Sequence, residues 1–138
     1  MPTRCKIEMP SDAKFLGVVR AAVDRWCILA GFGEADARQI TLAVDEAVAN
    51  IIRHAYASRA TGMIVAEFTW DGRQLIFELE DAGAPVDRSR ICKHPPDELH
   101  TGGRGTHFMR EIMDEVDYET LPSRNRVRLV KYRPAPAA

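Results

Sequence analysis

Glu46, Asn50 and His54 recur at i, i+4 and i+8 within Leu42-Ala-Val-Asp-Glu-Ala-Val-Ala-Asn-Ile-Ile-Arg-His-Ala-Tyr56. That spacing sets them along one side of a helix, beside an apolar stripe of Ile40, Ala43, Val44, Ala47, Ile51 and Ala55. A carboxylate and a carboxamide one turn apart, at the margin of a buried face, suit a hard metal ion or a proton transfer. Asn50 is the more telling of the two. Asparagine forms helices poorly and costs desolvation inside so apolar a run, so a ligand is the expected reason for it. Its amide oxygen matches Mg²⁺, which takes oxygen donors and usually keeps several waters alongside phosphate.

Two further motifs follow downstream. Asp81-Ala-Gly83 ends a predicted strand, where a carboxylate can accept a hydrogen bond from an exocyclic amine such as that of adenine. Gly83 would let the backbone approach a flat base closely. Gly102-Gly-Arg-Gly-Thr106 then opens an amphipathic helix, and glycine-rich helix starts expose amide N–H groups to polyphosphate. Arg104 and Thr106 add donors. The run lacks the spacing and lysine of a Walker A loop, and no strand directly precedes it as a dinucleotide fingerprint requires. Each motif alone also fits a plain turn, hinge or solvated helix edge; their combination in this order points to a nucleotide.

The elements that must position these groups are legible in the periodicity. Lys6–Met9 reads as a strand ended by Pro10, and Ser11 as the N-cap of a helix over about residues 12–30 with Phe15, Leu16, Val19, Val23 and Trp26 on one face. Gly31-Phe-Gly33 closes it, and the second helix runs from about residue 34 to 57. A hairpin follows, turning at Asp71-Gly72, with Ile64, Ala66, Phe68, Trp70, Leu75, Phe77 and Leu79 inward and Glu67, Glu78 and Glu80 outward. From Ala84 to Thr101 periodicity is lost, as expected of a lid. A third helix carries Phe108, Met109, Ile112 and Met113, and two strands, about 116–121 and 126–133, flank Pro122-Ser-Arg-Asn125. The order α–α–β–β–lid–α–β–β predicts an α/β sandwich (α+β): one mixed, mostly antiparallel sheet with helices on one face. Residues 1–133 are expected to form one domain and 134–138 a loose tail.

Bulk properties narrow the class of function. At 138 residues, 46% hydrophobic and 28% charged, the chain can bury its own core. A net charge of −1 gives no electrostatic case for nucleic acid or anionic membrane. Without a signal-like N-terminus or a membrane-length apolar run, a cytoplasmic setting is expected. Cys5, Cys27 and Cys92 show no C-x-x-C pattern and read as reduced thiols without a special role.

Taken together, Glu46-x-x-x-Asn50, Asp81-x-Gly83 and the lid followed by Gly-Gly-Arg-Gly resemble the N box and two glycine boxes of the GHKL ATPase superfamily, with its Bergerat-type, histidine-kinase-like fold. Val44-Asp-Glu-Ala-Val-Ala-Asn50, Asp81-Ala-Gly-Ala-Pro-Val-Asp87 and Gly102 through Val116 are similar to the bacterial anti-sigma factor serine kinases of the RsbW/SpoIIAB type. The resemblance implies that Asn50 binds Mg²⁺ and that Glu46 is the general base for a serine or threonine hydroxyl. It places Asp81 and Gly83 at adenine, and Gly103, Arg104, Gly105 and Thr106 at the phosphates. Arg53 falls where related kinases often place a basic phosphate contact, and His54 at a position taken for helix-end packing. Pro85 stands where many GHKL proteins have a second glycine, a variant that resembles the anti-sigma kinases.

The function implied is an ATP- and Mg²⁺-dependent switch kinase that sequesters a sigma factor and phosphorylates a STAS-domain antagonist. A homodimer is implied by the same analogy, and the polar side of the first helix (Arg20, Asp24, Arg25) is a candidate partner surface. The alternative is a nucleotide-regulated protein-binding switch without significant kinase activity. Retention of both Glu46 and Asn50 weighs against that alternative, because binding alone needs no base.

Overall fold

The alternating hydrophobic pattern of the strand segments becomes one five-stranded sheet with a dry and a wet face. The computed structural model describes residues 2–84 and 101–133, with residues 101–106 described by their backbone alone. The strands are β1 (Thr3–Pro10), β2 (Met63–Trp70), β3 (Gln74–Asp81), β4 (Glu115–Leu121) and β5 (Arg124–Tyr132), in the order β1-β2-β3-β5-β4. All four pairings are antiparallel, so the sheet is not mixed. The helices are α1 (Leu16–Leu29), α2 (Glu34–Asn50) and α3 (Thr101–Ile112). They cover one face.

On that face, Ile64, Ala66, Phe68, Leu75, Phe77, Leu79, Val127 and Leu129 meet Val19, Val23, Ile40, Val44, Val48 and Met109 in one core. Phe68 and Phe77, directly paired across β2 and β3, pack edge to face with centroids 5.4 Å apart. Cys27 is fully buried in this core, and burial pushes its thiol up to about 12, which leaves it protonated and inert. The opposite face carries charge: Arg126 bonds Glu80 at 3.0 Å and lies near Glu78 and Glu119. Among the described residues no helix is long and apolar enough to cross a membrane.

Several sequence expectations are refined. Ser11 does not cap α1. Asp12 caps a short 3₁₀ turn (Ala13–Phe15) that leads into it, and Ser11 is buried instead. Its hydroxyl donates to the Arg59 carbonyl (2.5 Å) and accepts from the Gly62 N–H (2.9 Å), which ties the 59–62 segment to the end of β1. Gly31, at φ +95°, does close the first helix.

The second helix is not α-helical to residue 57. From Ile51 to Ala55 it widens into a π-helix, and Ala57 and Ser58 then reverse the chain at positive φ. The Ser58 N–H reaches back to the Ile52 carbonyl at 2.7 Å. The last hairpin is also tighter than the sequence suggests, since only Pro122 and Ser123 separate β4 from β5. Arg124 and Asn125 therefore belong to a strand.

Candidate nucleotide site

Glu46 and Asn50 lie one turn apart at the partly exposed edge of α2, beside the buried stripe of Ala43, Val44, Ala47 and Val48. Arg53 follows from the π-helix and links the two. Its Nη2 donates to Glu46 Oε1 at 3.0 Å and to Asn50 Oδ1 at 2.5 Å. A cation thus sits between the carboxylate and the amide oxygen. Arg53 also lines a cavity of about 300 Å³ with Leu16, Ala49 and Ile52. Among the described residues no three His, Cys, Asp or Glu side chains converge on a point. An all-protein metal cage is therefore not on offer there. One amide oxygen beside one carboxylate does fit Mg²⁺, which relies on substrate phosphates for its remaining ligands.

Asp81 is the last residue of β3 and falls on the inward side, 5% exposed. Two donors converge on its Oδ1: the Gly83 N–H at 2.9 Å and Asn125 Nδ2 at 2.8 Å. Burial pushes the Asp81 carboxyl up, and these two hydrogen bonds pull it partly back. Among the described residues no cation contributes to that balance. Asn125 stands opposite Asp81 in the β3–β5 register and is 3% exposed.

The turn after Asp81 is fastened to the π-helix. The Ala84 N–H donates to the Ala55 carbonyl at 2.8 Å. The Ala82 N–H donates to the Tyr56 hydroxyl at 2.8 Å, and that hydroxyl donates to the Met63 carbonyl at 2.7 Å. Gly83 serves this junction. A Cβ at residue 83 would lie 2.3 Å from the Ala55 carbonyl oxygen and 2.6 Å from its carbon. The close approach that the glycine permits is therefore to the helix that carries Glu46 and Asn50.

Gly102, Gly103, Arg104 and Gly105 open α3, as the sequence reading expects: the helix starts at Thr101 and includes them. Glycine adopts helical dihedrals at a cost of about 1 kcal/mol each relative to alanine. The side chains of Arg104 and Thr106 lie outside the described residues, as do Pro85 and the expected lid, apart from Ala84 and the helical Thr101 at its ends. His54 lies exposed in the π-helix. Of the proposed partner surface, Arg20 is held by Asp45 of α2 at 3.1 Å, while Asp24 and Arg25 are exposed.

Sequence reasoning missed Asn125 and Tyr56. A signal for Asn125 was present: alternation back from Leu129 through Val127 puts residue 125 on the inward face, an unusual place for a carboxamide. Tyr56 carried no such signal.

A buried carboxylate at a strand end is thus fastened to a helix whose edge bears a carboxylate and an asparagine. The family profile described as a histidine kinase-like ATPase domain matches residues 9–131, and the chain belongs to that family. Within it, the chain falls among the RsbW serine-protein kinases. It is 31% identical over 120 residues to serine-protein kinase RsbW of Bacillus licheniformis, covering 80% of this chain and 75% of that one. It is 24% identical over 119 residues to that of Bacillus subtilis (strain 168), covering 80% and 74%.

Among solved structures, the RsbU and RsbW domains of Rv1364c from Mycobacterium tuberculosis superpose with TM-score 0.65 at 19% identity. The match covers 96% of this chain and only 34% of that longer one. The histidine kinase domain of the blue-light activated histidine kinase EL346 from Erythrobacter litoralis gives TM-score 0.56 at 21% identity, over 88% of this chain and 60% of that one. These structural likenesses speak to the fold.

Proposed function

We propose that the chain is a cytoplasmic, Mg²⁺- and ATP-dependent protein serine/threonine kinase that sequesters a sigma factor and phosphorylates a STAS-domain antagonist of it. One observation carries the reading: Glu46 and Asn50 share Arg53 at the edge of α2, so a base and a metal ligand are held together by a cation that phosphate can compete for. Kinship with the RsbW serine-protein kinases supports the choice of acceptor.

In this reading Asp81 accepts the exocyclic amine of adenine, and Gly103, Arg104, Gly105 and Thr106 serve the phosphates, through the free N–H groups of the first turn of α3 and the side-chain donors of Arg104 and Thr106. Asn50 would hold Mg²⁺, which when bound neutralises charge on the phosphate oxygens. Glu46 takes the proton of the acceptor hydroxyl as its oxygen bonds to the γ-phosphorus. The bond from that phosphorus to the β–γ bridging oxygen breaks, and ADP leaves. Arg53 turns from Glu46 and Asn50 toward the γ-phosphate, which frees the base and the amide oxygen together.

The protein partners would use surfaces outside the pocket. Val18 and Leu29 project from α1 at 56% and 69% exposure, eleven residues and so about three turns apart on one side. We assign that side to a protein contact, with a second copy in a homodimer as one occupant.

Calorimetry and phosphotransfer test the reading together. Asn50→Ala should abolish Mg-ATP binding. Glu46→Gln should bind ATP within about twofold of wild type while transfer of radiolabelled phosphate to the antagonist falls by about 10² or more. Transfer at wild-type rate by Glu46→Gln would rule out the base. A wild-type protein that binds ATP but transfers no phosphate would leave a nucleotide-regulated binding switch.

A further inference from the structure

Resting on the nucleotide-site reading above, we propose that Asn125 is the specificity-determining positioning residue of the site. One carboxamide holds the Asp81 carboxylate as an acceptor for a 6-aminopurine and, through Ala84, sets the turn that carries it.

The geometry is specific. Asn125 Nδ2 offers two N–H groups, and two strong contacts account for both: Asp81 Oδ1 at 2.8 Å and the Ala84 carbonyl at 2.9 Å. The Gly83 carbonyl lies at 3.5 Å as a weaker third neighbour. Asn125 comes from β5, 44 residues away in sequence, so the contact belongs to the tertiary fold and not to the turn itself. It is among the few buried polar residues of the described chain, beside Ser11, Thr41, Thr69 and Asp81. A carboxamide in so dry a place costs free energy unless its partners require it.

The consequence for recognition is chemical. The Gly83 N–H and Asn125 both engage Oδ1, so Oδ2 is the oxygen that the described residues leave for a ligand. An ionised carboxylate only accepts hydrogen bonds. It attracts the 6-amino group of adenine and repels the 6-carbonyl of guanine, which is itself an acceptor. Without Asn125, a single backbone N–H among the described residues would remain to stabilise the buried charge. The carboxyl group would then take up a proton more readily, and its O–H would tolerate guanine. The same loss would release the Ala84 carbonyl, although Ala84 N–H would still be held by Ala55. Asn125 thus couples the charge state of Asp81 to the placement of the turn.

The test compares ATP and GTP, each with Mg²⁺, by calorimetry on the full chain. Its variants are Asn125→Leu, close in volume but without donors, Asn125→Ala, and Asp81→Asn. Wild type should prefer ATP. Asn125→Leu should weaken ATP about 10- to 100-fold, the equivalent of losing one buried charge-assisted hydrogen bond. GTP should weaken less than twofold or tighten, so that the ATP:GTP ratio collapses. Circular dichroism checks that each variant is folded, and Asn125→Ala replaces the leucine variant if that one is not. A folded variant with the wild-type ATP:GTP ratio overturns the role of Asn125. If wild type binds neither nucleotide, the site reading itself has failed. If Asp81→Asn loses ATP while both Asn125 variants keep ATP binding and selectivity, only the present inference has failed.

Discussion

Gly83→Ala is the sharpest test of how the turn after Asp81 meets the helix that carries Glu46 and Asn50. The added methyl would sit 2.3 Å from the Ala55 carbonyl oxygen, 2.6 Å from its carbon and 2.8 Å from its Cβ. Backbone atoms cannot rotate aside, so the turn must retreat by about 1 Å to reach ordinary van der Waals contact. Four hydrogen bonds depend on its present place: Ala84 N–H to Ala55, Ala82 N–H to Tyr56, Gly83 N–H to Asp81, and Asn125 to the Ala84 carbonyl. Overpacking of this kind costs about 1–3 kcal/mol, and one lost hydrogen bond adds about 1 kcal/mol. The expected destabilisation is therefore about 2–4 kcal/mol. In urea that lowers the unfolding midpoint by about 1–3 M for a slope of roughly 1.5–2 kcal/mol/M. Gly17→Ala is the control. Its new methyl meets Arg20 only at an ordinary 3.6 Å in α1, so it should stabilise by about 0.5 kcal/mol through helix propensity. If Gly83→Ala unfolds within about 0.5 kcal/mol of wild type with an unchanged slope, the proposed junction with Ala55 is wrong.

Two other outcomes follow from the same contacts. Ser11→Ala leaves the Arg59 carbonyl and the Gly62 N–H without their partly buried partner and should cost about 1–2 kcal/mol in denaturant unfolding. Burial raises the pKa of Asp81, so the folded state holds that proton more tightly than the unfolded chain does. The stability from this group is fully present below the ordinary carboxylate range and is lost as pH rises through the raised folded value. Asp81→Asn, neutral throughout, should then melt higher than wild type at about pH 7, with the gain vanishing toward about pH 3. A variant that melts lower than wild type at neutral pH would contradict the burial argument.

Much of the architecture was legible because the sheet alternates so regularly. Ile64, Ala66 and Phe68 against Leu75, Phe77 and Leu79 marked both strands and their dry face, while their register, with Trp70 opposite Leu75, came from the structure. The first helix stop at Gly31 and the Asp71-Gly72 turn were equally readable, since φ above zero singles out glycine there. The π-helix was not readable. Ile51 to Ala55 keeps an apolar period that suits α- and π-geometry alike, and the widening depends on what Ala55 and Tyr56 meet across the turn. Ser11 misled because serine before a helix is usually a cap, and only packing reveals that Arg59 and Gly62 claim its hydroxyl.

The sequence by itself determined the chemistry present. Glu46 and Asn50 are local partners on one helix, four residues apart, and no tertiary context is needed to put them side by side. Family kinship is legible in the same way, because motifs and their order are written along the chain. The tertiary structure decided how that chemistry is held. Arg53 folds back onto both Glu46 and Asn50. Gly83 makes room for Ala55, and Asn125 arrives from another strand to hold Asp81. These contacts join residues 28 and 44 positions apart, and Arg53 depends on the π-turn that follows α2. Helical and strand periodicity report only which face a residue takes, so what stands across from that face is settled when the elements pack.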